Sequence, residues 1–326
     1  MARQMLGLYW LERRAPLTRL RDLRSLPAQW APPTVSSLGA QRPARRPSPA
    51  RWAAPDRPMG RIYRSCVATF SLVLYALLGP LGYLVFGALA LVPTRDRVRR
   101  AHRLQAVMCR AFALLHHWLR WTRVLDYDPR KLQGTIPDGP CIVIANHPSL
   151  DDVVTVMSTV PRLCTAVNRR TFERWWLRPL LEHAGQFSGG MDNPLGAQTV
   201  LDSAALRLGQ GFRVLVFPEG GRSPIGKLRT FARGAFVTAC RVGVPIVPIL
   251  IRAEPHWLSR GERLFVAPRH GARKRLEVLE IVHPDQFGGD SRSMRAYVES
   301  MYTRILRIPI DSPTLPSAAS PQEGVS

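Results

Sequence analysis

The chain has 326 residues, 46% of them hydrophobic, and its 46 basic side chains outnumber 23 acidic ones for a net charge of +23. That length and apolar content suffice for one large α/β domain with appendages and exclude a chain disordered throughout. The positive surplus predicts surroundings rich in negative charge: anionic lipid, phosphorylated substrates or nucleic acid.

Residues 1–64 carry 13 arginines, no lysine and 3 acidic residues, a net +10, with prolines dense from Pro27 to Pro58. Such a stretch buries too little apolar surface to offset its ordering entropy, so residues 1–60 read as a disordered Arg/Pro-rich N-terminus. Met5 to Leu26 also fits a short basic amphipathic helix on a membrane surface. No uninterrupted apolar core before Met59 marks a secretory signal, and Met59 is an alternative start.

Residues 61–125 read as membrane-associated helices. Ser65 to Thr94 contains no charged residue, and roughly 20 apolar residues span a bilayer core. Gly79 and Pro80 divide the run, and arginines flank it on both sides (Arg61 and Arg64; Arg95, Arg97, Arg99 and Arg100). Because positive charge prefers the cytoplasmic side, the pattern favours a hairpin dipping into one leaflet over a single crossing; a buried core helix is the bland alternative. An amphipathic helix follows, with Leu104, Val107, Met108, Phe112, Leu115 and Leu119 on one face and Arg103, Arg110, His117 and Arg120 elsewhere.

From 126 to 311 short apolar runs alternate with helical stretches: 141–145, 163–167, 213–217, 245–251, 264–267 and 276–282. Strands buried on both faces and separated by helices predict an α/β fold, a mixed, partly parallel sheet covered by helices. The tail, 312–326, reads as disordered. The five cysteines (Cys66, Cys109, Cys141, Cys164, Cys240) have no C-x-x-C spacing, which argues against a zinc site or disulfide framework and for a reducing compartment.

Two loops carry the chemistry. The run CIVIA ends in Asn146-His147-Pro148-Ser149-Leu150-Asp151-Asp152, and loops at the carboxyl ends of such strands are where ligands bind. A His five positions before an Asp, across a strand-to-helix turn, brings the carboxylate back against the imidazole. The pair then acts as a general base, with Asp152 fixing the tautomer of His147 and stabilising the imidazolium. The bland alternative makes Ser149 or Asp151 a helix N-cap. The second run, RVLVF, enters Pro218-Glu219-Gly220-Gly221-Arg222-Ser223. Gly220 and Gly221 permit close approach of backbone to ligand, Arg222 offers a planar fork suited to phosphate, and Glu219 either accepts from a ligand hydroxyl or holds the arginine.

These stretches resemble the glycerolipid acyltransferases typified by 1-acylglycerol-3-phosphate acyltransferase. NHPSLDD contains the family's Asn-His-x-x-x-x-Asp block, with Asp151 in a variable position, and FPEGGRS is similar to its Phe-Pro-Glu-Gly-Thr-Arg-Ser block. Phe231-Ala232-Arg233-Gly234-Ala235-Phe236 and Val244-Pro245-Ile246-Val247-Pro248-Ile249 match two further elements. Gly221 replaces the usual Thr, Asn168 stands where a lysine is common, and residues 184–192 lack an arginine that many members carry, so acceptor identity is less defined than catalytic class. Arg169, Arg170 and Arg233 are candidates for the missing charge.

The resemblance implies His147 and Asp152 as catalytic residues, and Asn146, Glu219, Gly220, Gly221, Arg222 and Arg233 around the substrate. It implies a fatty acyl thioester of CoA or acyl carrier protein as co-substrate, no metal or other cofactor, a lysophospholipid-type acceptor, and an oxyanion held by amides at the start of the helix after the histidine. The expected setting is the cytoplasmic side of a bacterial-type inner membrane, with membrane lipids as partners and no nucleic acid. Other lyso-lipid acceptors such as lyso-ornithine lipid, a non-catalytic basic lipid- or nucleic-acid-binding protein, and a serine hydrolase are the alternatives; no Gly-x-Ser-x-Gly elbow supports the last.

Overall fold

The computed structural model describes residues 60–74 and 96–311, apart from 128–131, 133, 191–193, 262–264, 269 and 309. The expectations for residues 1–59, for a turn at Gly79-Pro80 and for the tail therefore lie outside the described residues. Residues 60–74 are helical. Asp96 starts the next helix, α1 (Arg97–Trp121), by accepting the N–H groups of Val98 and Arg99 at 2.9 and 3.1 Å, which satisfies donors that a helix end otherwise leaves orphaned.

The face predicted for α1 meets the domain: Leu104 and Leu119 are buried, and Met108, Phe112 and Leu115 pack against apolar clusters. Polar tethers fix it further. The Gln105 amide donates to Leu163 O at 3.0 Å and accepts from Arg162 N–H at 2.8 Å. Ala68 of the 60–74 helix is buried in one apolar cluster with Leu119 and Trp257, and Trp118 donates to the Ser71 hydroxyl.

The domain continues through β1 (Leu125–Asp126), β2 (Ile142–Ala145), α2 (Asp152–Met157), β3 (Leu163–Val167), α3 (Arg169–Phe172), α4 (Arg178–His183), β4 (Phe187–Ser188) and α5 (Pro194–Gly209). It closes with β5 (Arg213–Val216), β6 (Leu228–Arg229), α6 (Gly234–Val242), β7 (Ile246–Glu254), β8 (Ala272–Val278), α7 (Ser291–Leu306) and β9 (Ile310–Asp311). Seven strands form one sheet in the order β1-β8-β7-β2-β5-β3-β4, and β6 pairs with β9 beside it. All pairs in the large sheet are parallel except β7 with β8. The sheet is thus mixed, as expected, and mostly parallel.

Side chains on its central strands alternate between two cores. Ile142, Ile144, Val214 and Leu250 face one, with Phe236 of α6 and Tyr302 of α7. Val143, Ala145, Leu215 and Ile251 face the other, with Val156 and Met157 of α2. Burying a strand on both faces requires the continuous apolar runs that made these strands predictable.

Two strand expectations need correction. Phe265 lies in a turn and Val266 and Ala267 in no regular element. The run 276–282 is shifted, because the strand is β8, which begins four residues earlier, over charged residues. There Ala272 and Lys274 point inward and Arg275 and Glu277 outward, an alternation hidden by four polar or charged letters.

Candidate active site

The topology brings the two chemical loops together. β2 and β5 are parallel neighbours, so the turns leaving their carboxyl ends, one carrying His147 and the other Glu219, emerge at the same edge of the sheet. The loops are then tied through main chain: His147 N–H donates to Glu219 Oε1 at 2.8 Å, and Ser223 N–H returns to His147 O at 3.1 Å.

His147 Nδ1 lies 2.9 Å from Asp152 Oδ2, with the imidazole 15% exposed and the carboxylate fully buried. An ionised carboxylate only accepts, so Nδ1 carries the proton and Nε2 remains the basic nitrogen. The ring stacks on Phe217 with centroids 4.2 Å apart, which fixes its plane. Asp152 is itself held by Ser149, whose N–H reaches Oδ2 and whose hydroxyl reaches Oδ1, both at 2.6 Å.

A lysine absent from the sequence-based candidates completes this group. Lys274, whose side chain is 2% exposed, extends from β8 to Asp152 Oδ1 at 2.8 Å, Asp151 Oδ1 at 2.7 Å and the Ser149 hydroxyl at 2.8 Å. Burial alone would lower its pKa, but the two carboxylates more than offset that and raise it. Burial likewise pushes Asp151 up, and the Lys274 ammonium, with smaller help from His116 and Ser149, brings it below the usual carboxylate range. Buried charges persist only when paired in this way.

His147 lines a cavity of about 270 Å³ together with Glu219, Lys227, Arg252, His256, Leu306 and Ile308 among others. The cations on its wall are Lys227 and Arg252. Arg222 is not among the lining residues, and its Nη1 donates to Leu258 O at 3.2 Å. Arg233 is likewise placed elsewhere, donating to the Ser291 hydroxyl at an exposed position. Arg169 pairs with Glu173, and Asn168 caps α3 by accepting Arg170 N–H.

Three further groups of the site have partners of their own. Asn146 lines the cavity, but both ends of its amide are spent on Ile251, donating to its carbonyl at 2.9 Å and accepting from its N–H at 2.7 Å. Glu219 holds main chain in place of Arg222: besides His147, its Oε2 accepts from the Ser223 hydroxyl and from Arg229 N–H. Burial raises its pKa against these donors. At the start of α2, Ser149 N–H bonds Asp152 Oδ2, Leu150 N–H bonds Leu258 O and Asp152 N–H bonds Ser149 O. Gly220 has φ +69°, a backbone that favours glycine, whereas a Cβ at Gly221 would meet the Arg229 guanidinium at 3.4 Å. Among the described residues no group of three or more His, Cys, Asp or Glu is arranged to hold a metal.

The acyltransferase family profile matches residues 128–252, which include both loops. The 1-acyl-sn-glycerol-3-phosphate acyltransferase of Pseudomonas aeruginosa is 30% identical over 209 residues, 60% of this chain and 76% of the relative. The chain belongs to this acyltransferase family. The human 1-acyl-sn-glycerol-3-phosphate acyltransferase beta is 29% identical over 144 residues, 43% of this chain and 50% of that one. The mouse alpha enzyme is 32% identical over 142 residues, 40% and 47%, so the chain spans about half the length of these mammalian relatives. The crystal structure of the 1-acyl-sn-glycerophosphate acyltransferase from Thermotoga maritima shares the fold, with a TM-score of 0.60 at 22% identity over 76% of this chain and 96% of that one.

Proposed function

We propose that the chain is an O-acyltransferase that moves a fatty acyl chain from a CoA or carrier-protein thioester to the hydroxyl of a lysophospholipid-type acceptor, with His147 as general base. The observation that carries this reading is His147, held by the buried Asp152, on the wall of a cavity that also carries Lys227 and Arg252. Nε2 takes the acceptor's hydroxyl proton as the oxygen attacks the thioester carbonyl, and the imidazolium is stabilised by Asp152. The C–O bond forms, the C–S bond breaks, and the imidazolium returns its proton to the departing thiolate. No covalent acyl-enzyme, metal or further cofactor enters this scheme.

Lys227 and Arg252 are suited to the acceptor's phosphate, and Leu306 and Ile308 to apolar chain. The names of the relatives support 1-acylglycerol-3-phosphate as the acceptor. A serine hydrolase is disfavoured, because among the described residues no serine hydroxyl bonds His147: the Ser149 hydroxyl lies between the Asp151 and Asp152 carboxylates, and that of Ser223 donates to Glu219.

The work is done at a membrane surface in this proposal. Ile62, Tyr63 and Phe70 on the 60–74 helix and Leu114 and Trp121 on α1 are exposed, and in sequence the two helices flank the apolar run that ends at Thr94. Among the described residues no helix is long and apolar enough to cross a bilayer. Exposed apolar side chains on helices that also carry arginines fit a lipid interface, and the cytoplasmic face of a bacterial-type inner membrane is the proposed location.

The test incubates the full chain in membranes with labelled acyl-CoA or acyl carrier protein and a panel of lyso-lipids. His147→Ala abolishes product if the assignment holds. Substantial acyl transfer by a folded His147→Ala protein would sink it.

A further inference from the structure

Asp151 occupies the N-cap position of α2, where an aspartate ordinarily accepts first-turn amides, yet its side chain makes no cap hydrogen bond. It turns to Lys274 Nζ at 2.7 Å instead. The same ammonium sits 2.8 Å from Asp152 Oδ1, on the carboxylate whose other oxygen receives His147. A buried cation there would by itself oppose a second cation on the imidazole, because both draw on one carboxylate. Asp151 supplies the missing charge. Two carboxylates and one ammonium leave one net negative charge while His147 is neutral, and none once it is protonated.

We infer that Asp151 and Lys274 form a compensating pair that positions Asp152 and sets how strongly it supports protonation of His147. The inference rests on His147 acting as the base and adds two positioning residues to that site. Lys274 contributes geometry, since its three N–H groups match its three short contacts, to Ser149, Asp151 and Asp152. Asp151 contributes the charge balance. Other titratable groups also surround the imidazole: Glu219 bonds its main chain, Lys227, Arg252, Glu254 and His256 line the cavity, and His116 on α1 reaches the cluster through Thr155. All are common to the variants below, so differences between variants report the pair.

The test follows carbethoxylation of His147 by diethyl pyrocarbonate, which consumes neutral imidazole, peptide by peptide by mass spectrometry across the pH range in which imidazoles titrate. It needs no substrate. In Asp151→Asn the reaction midpoint should fall by about one to two pH units, the size expected for one charge removed nearby at an effective dielectric near 20. In Asp151→Asn/Lys274→Met, where charge balance is rebuilt, it should return to the wild-type position. A merely structural pair would lower stability and leave the midpoint unmoved, and an unmoved midpoint in folded Asp151→Asn overturns the inference. If Asp151→Asn does not fold, Lys274→Met takes its place: loss of the cation should raise the midpoint by a similar amount, and an unmoved midpoint there overturns the inference. If neither folds, the pair is a folding element and the inference fails. An active His147→Ala protein would remove the base assignment, whereas an inactive one beside an unmoved Asp151→Asn midpoint sinks this inference alone.

Discussion

Glu219 holds His147 by its main chain: Oε1 accepts the histidine N–H at 2.8 Å while the His147 ring is turned to Asp152. The residue expected to meet a ligand thus connects the two loops, and Ser223 N–H closes the link by bonding His147 O. Because the linked strands are adjacent, disturbing either loop disturbs the other.

Glu219→Gln offers one acceptor oxygen where the carboxylate uses two, leaving a buried donor from His147, Ser223 or Arg229 unsatisfied. The expected cost is about 1–3 kcal/mol of stability, with kcat falling by roughly tenfold or more as the imidazole loses its placement. Urea unfolding and steady-state kinetics measure the two. A variant with wild-type turnover would show that the link does not position the base.

Lys227→Ala and Arg252→Ala each remove one cation from the cavity wall. For a phosphate-bearing acceptor KM should rise about tenfold per cation, the loss of one charged hydrogen bond, with kcat little changed. An acceptor without a phosphate should not register the change, and equal effects on both acceptors would move phosphate binding elsewhere.

His116 is buried, with Nδ1 on Phe112 O and Nε2 on the Thr155 hydroxyl, and burial lowers its pKa from 6.5 to about 4. The unfolded chain therefore binds the extra proton between those values. Its contribution is fully present above the unfolded pKa and is lost as pH falls from 6.5 toward 4, by up to about 3 kcal/mol. His116→Leu should flatten that part of the urea midpoint's pH dependence. An equally steep profile in the variant would assign the acid loss to other groups.

Gly271 precedes β8 with φ +76°, and a Cβ there would stand 2.6 Å from Arg123 O. Gly243 shares the left-handed conformation, φ +74°, with nothing within 4 Å. Gly243→Ala should cost about 1 kcal/mol for the backbone alone, and Gly271→Ala more, together with a drop in kcat as β8 and Lys274 shift. Equal costs would show that the main chain near Arg123 yields freely.

The central strands were legible because burial on both faces requires unbroken apolar runs, as in Ile142–Ala145 and residues 246–251 of β7. His147 and Asp152 were legible because their partnership is local, five positions apart. Lys274 was not, since a charged residue within Ala272–Val278 reads as solvated until its carboxylate partners are known, 122 positions away for Asp152. The roles of Asn146 and Glu219 were hidden for a related reason: their partners include backbone groups, which leave no mark in the sequence. Arg222 stood in the expected motif, but the fold turned it to Leu258 O.

The distance along the chain between Asp152 and Lys274 has a consequence for synthesis. The histidine loop leaves the ribosome with two neighbouring carboxylates well before the ammonium that joins them has been made. Until β8 docks antiparallel on β7, those acids repel and need water, so the loop closes on its cation only after most of the sheet has been translated.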